Sequence, residues 1–320
     1  MAQSRKHHYL PQFYLRGFSN NGKSIFQIEK RGGRGYHCPI RDAAEIRDYH
    51  KLDYDGAKDP YAVENQLAKV EGQLAEALTH VIESGIDTDV AHARLVEFVS
   101  LMRLRVPAFK QFVEKFFGQV VLSSGKILEH KGKLPPAPKG LENIFARDGV
   151  SISILNWICL HFMFKQAFDQ NTLKLLASMT PSILRVPEGT SLLTCDQPVA
   201  LFHPDANPTD PYGVGFAHRA IQVSIPLCRG ALLLLTWDKT AARERMLTSP
   251  EVDEFNRRTV VMADTFVFAP EESELLVATV VRYSHCWAGF NLQVLDGGDS
   301  AFHLSRFRPV MTADRYHASV

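Results

Sequence analysis

Apolar residues recur along this chain with two different periods, and the change from one to the other divides it. From Asp59-Pro60, a cap residue followed by proline, Val63, Leu67, Val70, Leu74, Leu78 and Val81 return every three or four positions and predict a helix to about Glu83. Asp87 or Thr88 caps a second helix, whose Leu95-Val96-Glu97-Phe98-Val99-Ser100-Leu101-Met102 segment is apolar nearly all round and so belongs at the centre of the fold. Pro107 kinks or ends that helix, and helical spacing continues from Phe109 to Phe117. Lys131 to Gly140, rich in proline, glycine and lysine, reads as a mobile basic linker open to proteases. Helical pattern resumes from Ile154 to about Leu176.

Beyond that point the period becomes two. Ser182–Val186 and Ser191–Thr194 read as strands flanking a Pro-Glu-Gly turn, and Ile221, Val223, Ile225 and Leu227 alternate with polar residues. Arg229-Gly230 then turns into the apolar run Ala231 to Trp237, while the Pro-, Asp- and Gly-rich stretch from His203 to His218 is a surface loop or a lid. Ser249-Pro250-Glu251 starts a helix with Val252, Phe255, Thr259 and Met262 inward, followed by a strand over Thr265–Phe268 and a helix from Pro270 to about Val281. The tail from Tyr283 carries no dominant pattern. These periods predict an α+β fold, a helical bundle over 58–176 packed on a mainly antiparallel sheet over 182–268. Together they form one domain over 1–281, with 282–320 as a C-terminal extension.

The densest stretch lies ahead of both parts. Lys6-His7-His8-Tyr9-Leu10-Pro11-Gln12-Phe13-Tyr14-Leu15-Arg16-Gly17-Phe18 is too aromatic for a disordered leader. Pro11 suits the start of a short helix and Gly17 its end, which sends Phe13, Tyr14 and Phe18 into a core and leaves His8 just ahead of the helix. Ser24–Glu29 follows as a strand, and Arg31-Gly32-Gly33-Arg34-Gly35 as a basic loop without the Lys-Ser/Thr of a phosphate-binding loop.

Composition narrows the function classes. The 320 residues hold 36 basic and 35 acidic side chains, so a nucleotide or nucleic-acid partner finds no support in the net charge. Five scattered cysteines without a C-x-x-C pair fit neither a disulfide framework nor a zinc ribbon, and a cytoplasmic setting suits them. No targeting segment or membrane-spanning run is expected.

Candidate chemistry rests on polar residues at the edges of apolar elements. Glu64 and Glu71 border the buried stripe of the first helix beside Ala68 and Ala75, where carboxylates either point into a cleft or sit in solvent. Asp196, in Thr194-Cys195-Asp196-Gln197-Pro198, leaves a strand end where it either serves a site or accepts backbone N–H groups in a turn. Glu97 has Arg94 and Arg105 at helical spacing as ion-pair partners. A Cys195 nucleophile assisted by His8 is a weaker alternative.

The same segments carry a resemblance. The His8 to Phe18 motif, the Glu64–Glu71 helix, Leu104-Arg105-Val106-Pro107, Thr194-Cys195-Asp196-Gln197-Pro198, Ile225-Pro226-Leu227 and the Asn256 helix, in this order, resemble the prokaryotic domain of unknown function 4238 family. Its pattern is H-Y-x-P-x-F-Y-L-R-x-F, a helix with spaced glutamates, R-T-P and then T-S-D-x-P. The similarity runs from about Lys6 to Val281. Cys195 stands where that family usually has serine and Val106 where it usually has threonine, so a role built on that serine hydroxyl would be changed here. The resemblance implies a topology and candidate positions, and no activity.

Two functions follow as expectations. In the first, His8, Glu64, Glu71 and Asp196 hold a divalent ion such as Mg²⁺ or Mn²⁺ in a hydrolase of the nuclease or phosphoesterase kind, with His8 and Asp196 catalytic and Arg105 or Arg16 steadying a phosphate. In the second, the protein is a noncatalytic binding or assembly protein, and these residues form a buried polar network that specifies the core.

Overall fold

The computed structural model describes residues 5–141, 144–146, 151–207, 210, 212–297 and 300–317. The N-terminal motif forms strand β1 (Lys6–His8) and helix α1 (Gln12–Arg16), with Pro11 at the cap and Gly17 closing the last turn. β2 (Ser24–Glu29) and β3 (Gly35–Pro39) make a hairpin around the basic loop, and β4 (Glu45–Arg47) returns antiparallel to β1. Ala44 and Asp48 flank β4 with positive φ, which makes the tight turns that bring this strand back.

The helical part contains α2 (Ala62–Ser84), α3 (Asp89–Leu104), α4 (Pro107–His130), α5 (Asn156–Ala167) and α6 (Gln170–Ala177). Asp59 accepts the Tyr61 N–H at 2.9 Å ahead of α2, and Thr88 caps α3 by accepting the Ala91 N–H at 3.1 Å. Proline at position 107 ends one helix and opens the next, because Val106 ahead of it is forced into extended backbone. The single helix expected from Ile154 to Leu176 is two. Asp169 interrupts it by accepting from both the N–H and the hydroxyl of Thr172, which restarts the chain as α6. Residues 131–140 form no regular structure and are exposed apart from a half-buried Leu134.

Two sheets complete the core. One is ordered β10-β5-β9-β8-β7, from β5 (Thr180–Arg185), β7 (Ala200–Phe202), β8 (Gln222–Cys228), β9 (Ala231–Thr236) and β10 (Glu244–Met246), antiparallel except for the parallel β10–β5 edge. The other is ordered β3-β2-β11-β6, from the N-terminal hairpin, β6 (Thr194–Cys195) and β11 (Phe266–Ala269), all antiparallel. The two segments flanking the Pro187–Gly189 turn therefore part into different sheets rather than pairing. Asn256 of α7 (Ser249–Met262) holds the second one instead: its amide donates to the Ser191 carbonyl and accepts the Leu193 N–H, both at 2.9 Å.

After α8 (Glu274–Arg282), the patternless tail forms a hairpin of β12 (Gly289–Asp296) and β13 (Ala301–Arg308), followed by α9 (Ala313–His317). The hairpin lies on α4, where Phe290 meets Phe109 and Phe112 at about 5 Å between ring centres. One continuous apolar cluster reaches from Tyr9 through the helices and both sheets to Tyr316. The N-terminal motif lies within it: the Tyr14 ring packs on Phe98 of α3, and its hydroxyl reaches Thr194 and Pro226 in the two sheets. Among the described residues, no helix is long and apolar enough to cross a membrane.

Candidate functional site

The strand geometry of β1 decides which histidine faces inward. Successive side chains of a strand alternate, so Lys6 and His8 share one side and His7 takes the other. His7 is wholly buried, while His8 is half-buried and donates through Nε2 to the Arg41 carbonyl at 3.2 Å. Burial lowers the basicity of His8.

His7 meets His50, also wholly buried, and Glu64 of α2. The two imidazoles stack with centres 5.6 Å apart and planes 15° from parallel, enclosed by Tyr61 on His7 and Tyr49 on His50. His7 Nδ1 accepts the backbone N–H of His50 at 2.9 Å and lies 3.8 Å from Glu64 Oε2. His50 Nδ1 contacts the same carboxylate oxygen at 2.6 Å. One potential ligand atom from each of the three residues lies within 4.8 Å of the others.

These contacts fix protonation. Burial pushes the His50 ring down to about 4, against the opposing pull of Glu64, so the imidazole is neutral at pH 7 and its Nδ1–H donates to the carboxylate. That leaves the lone pair on Nε2. Burial alone would push the Glu64 carboxyl up; the His50 hydrogen bond and the nearby basic groups bring it below its usual range, so it is ionised. In His7 the accepting Nδ1 puts the proton on Nε2. Among the described residues neither buried Nε2 has a hydrogen-bond partner, and buried polar atoms are rarely left so. Two imidazoles and one carboxylate are a donor set that suits Zn²⁺, Fe²⁺ or Mn²⁺ better than Mg²⁺, which prefers oxygen alone; His7, whose lone pair takes the His50 backbone N–H, would ligate only by giving up that hydrogen bond.

Next to this cluster, Arg105 sits wholly buried between α3 and α4. Its Nη2 donates to the His8 carbonyl at 2.8 Å and pairs with Glu71 Oε1 at 2.8 Å, tying β1 to α2. Glu71 is thus the partner of a buried guanidinium, whose Nε and Nη1 have no hydrogen-bond partner among the described residues. Arg16 is exposed and donates to Gln12. Glu97 pairs with Arg94 at 2.7 Å.

Asp196 stands apart from the His7–His50–Glu64 group. Its Oδ1 accepts the Asp264 N–H at 2.8 Å, and its Oδ2 accepts those of Thr265 and Phe266 at 2.6 and 3.0 Å. Burial pushes this carboxyl up to about 6 against the pull of those three donors. Cys195 is wholly buried and donates to the Gln197 carbonyl, and burial pushes its thiol well above the usual range, the reverse of an activated nucleophile.

Of the residues singled out from the sequence, the fold brings Glu64, Glu71, Arg105 and the His8 backbone into one neighbourhood around α2, and spends Asp196 elsewhere. The histidines it adds are His7 and His50. His7 was available from alternation once the residues ahead of Pro11 are taken as a strand; His50, in a loop held by the turn at Asp48, carried no local signal.

Neither a curated protein nor a solved structure matches this chain. A family model does match, over residues 6–273, which include β1, α2, Arg105, Asp196 and the Asn256 helix. The chain belongs to the DUF4238 family of proteins of unknown function.

Proposed function

We propose that this protein is a cytoplasmic metal-dependent hydrolase of the nuclease or phosphoesterase kind, with its ion held by His7, His50 and Glu64. The observation that carries this reading is the convergence of a neutral buried imidazole, a second buried imidazole and an ionised carboxylate within 4.8 Å. A divalent ion bound there would activate a water and polarise a phosphate ester. The side chain of Glu64 retains about a third of its exposure, so the cluster has a solvent-facing side. Arg105 and Glu71 would fix β1, and with it His7, against α2. Five free thiols support a reducing compartment.

The experiment is thermal unfolding of chelator-treated protein with added Zn²⁺, Mn²⁺ or Mg²⁺, for wild type and Glu64→Gln, with hydrolysis of a chromogenic phosphodiester followed in parallel. Ion-dependent stabilisation and turnover, both lost in Glu64→Gln, support the reading. A wild type that no ion stabilises ends it.

The second reading, a noncatalytic binding or assembly protein, draws on a different observation: Asp196 and Asn256 spend their polar atoms on backbone groups, and Tyr14 spends its hydroxyl on the Pro226 carbonyl and the Thr194 hydroxyl. On this reading the histidine cluster is a buried network that specifies the core.

A further inference from the structure

On another side of the N-terminal motif a cavity of about 750 Å³ opens between the β2–β3 loop, the first turns of α4 and residues 284–292. A second, of about 400 Å³, adjoins it and reaches Tyr9 and Asp196. Ala108, Gln111, Gln197 and Asp264 line both, so the two form one cleft of the size that small organic ligands occupy.

Two buried polar side chains line this cleft with capacity to spare. Lys30, 3% exposed, donates to the carbonyls of Val261 and Ala263 at the end of α7, at 3.1 and 2.6 Å. An ammonium has three N–H groups, so one remains. Gln197, 7% exposed, lies where the two cavities meet, and among the described residues its side-chain amide has no hydrogen-bond partner. Room beside that amide depends on Gly289: a Cβ there would stand 3.3 Å from Gln197 Oε1, on a backbone with φ of +138°.

The rim adds charge and a flat surface. Arg31 and Lys115 line the larger cavity, and among the described residues neither makes an ion pair. In the larger cavity these two and Lys30 face one lining carboxylate, Asp264, while Asp42, Glu45 and Asp196 line the adjoining one. Trp287 lines the same space, two-fifths exposed, with the Arg308 guanidinium over its ring at 4.6 Å. Cations on the lining favour a phosphate, a part-exposed indole beside them favours a planar ring, and an unpaired amide reads the edge of such a ring.

We propose that this cleft binds a mononucleotide, its phosphate at Lys30, Arg31 and Lys115, its base against Trp287, and the base edge at the Gln197 amide. The proposal does not depend on a metal at His7, His50 and Glu64. Lys30 also caps α7, so the variants for the test come from the rim and from Gln197.

The test is calorimetric titration of the full chain, with chelator present, using the four ribonucleoside monophosphates and inorganic phosphate as probes. At least one monophosphate is expected to bind more tightly than inorganic phosphate. Arg31→Glu/Lys115→Glu and Trp287→Ala should each weaken that binding about tenfold or more. Gln197→Leu should narrow the difference among the four bases. Unliganded melting temperatures of the rim variants should match wild type. Four monophosphates that all fail to bind, or binding that the rim variants leave unchanged, would overturn the proposal. Inorganic phosphate binding as tightly as the best nucleotide, with Trp287→Ala without effect, would overturn it as a nucleotide site.

Discussion

Tyr14 and Thr194 stand 180 positions apart in the chain, and their hydroxyl oxygens lie 2.7 Å apart in the core. Tyr14 has one hydroxyl proton and gives it to the Pro226 carbonyl at 2.9 Å, so Thr194 is the donor to Tyr14. This three-membered chain joins the N-terminal motif to both sheets. Tyr14→Phe keeps the ring against Phe98 and strands the Thr194 hydroxyl and the Pro226 carbonyl without water. It should cost about 1–3 kcal/mol in urea denaturation, the usual penalty for unsatisfied buried groups. A variant as stable as wild type would show that the hydroxyl contributes nothing.

Asp196→Asn tests whether this carboxylate is structural. Both oxygens accept backbone N–H groups, so an amide must turn its NH₂ toward at least one of those donors. The expected loss is again about 1–3 kcal/mol at neutral pH, the cost of leaving buried donors unmatched. Any ion-dependent stabilisation of wild type should survive in this variant. If the melting temperature holds while ion binding disappears, Asp196 is a ligand and the assignment to His7, His50 and Glu64 fails.

Much of the fold was legible because burial imposes period on sequence. The stripe from Val63 to Val81 packs one face of its helix against the core, the strands Ser24–Glu29 and Gln222–Cys228 are buried on both faces, and each lies close to where its pattern puts it. The β12–β13 hairpin was not legible. Its Phe290 and Phe307 turn inward while Phe302 and Leu295 stay exposed, so apolar residues on both faces blur the alternation. The site was half legible: α2 announced Glu64 and Glu71 through its border positions, but a three-residue strand such as β1 is too short to display a period. His50 depends on the long-range pairing of β1 with β4, which no local pattern records.

The Arg105–Glu71 pair should respond unequally to loss of its two members. Arg105 is wholly buried and the Glu71 side chain a quarter exposed, so a lone guanidinium has no access to water while a lone carboxylate keeps some. Removing one partner of a buried pair costs about 3–5 kcal/mol. Glu71→Leu should fall in that range, and Arg105→Met below it. The double variant should be more stable than the two single losses added together, because no buried charge is left alone. Additive losses in chemical denaturation would mean that the pair does not interact.

Acid should act on His50 and Asp196 in opposite directions. His50 drops from an ordinary value of 6.5 to about 4 in the fold, so between those values the unfolded chain takes up a proton that the folded one refuses. Its contribution is complete above pH 6.5 and is lost as the pH falls toward 4, at no more than about 1.4 kcal/mol per pH unit. Asp196 rises from 3.8 to about 6, so between those values the folded chain holds the extra proton and acidification stabilises it. The windows overlap, and wild type should show a shallow dependence of stability on pH from about 4 to 6. His50→Gln keeps an amide donor for Glu64 and removes the first effect, so its stability, though lower at pH 7, should rise on acidification through that range. Asp196→Asn removes the second, so its stability should fall more steeply than that of wild type. Urea denaturation across that pH range measures all three curves, and parallel curves would show that neither group's protonation is coupled to folding.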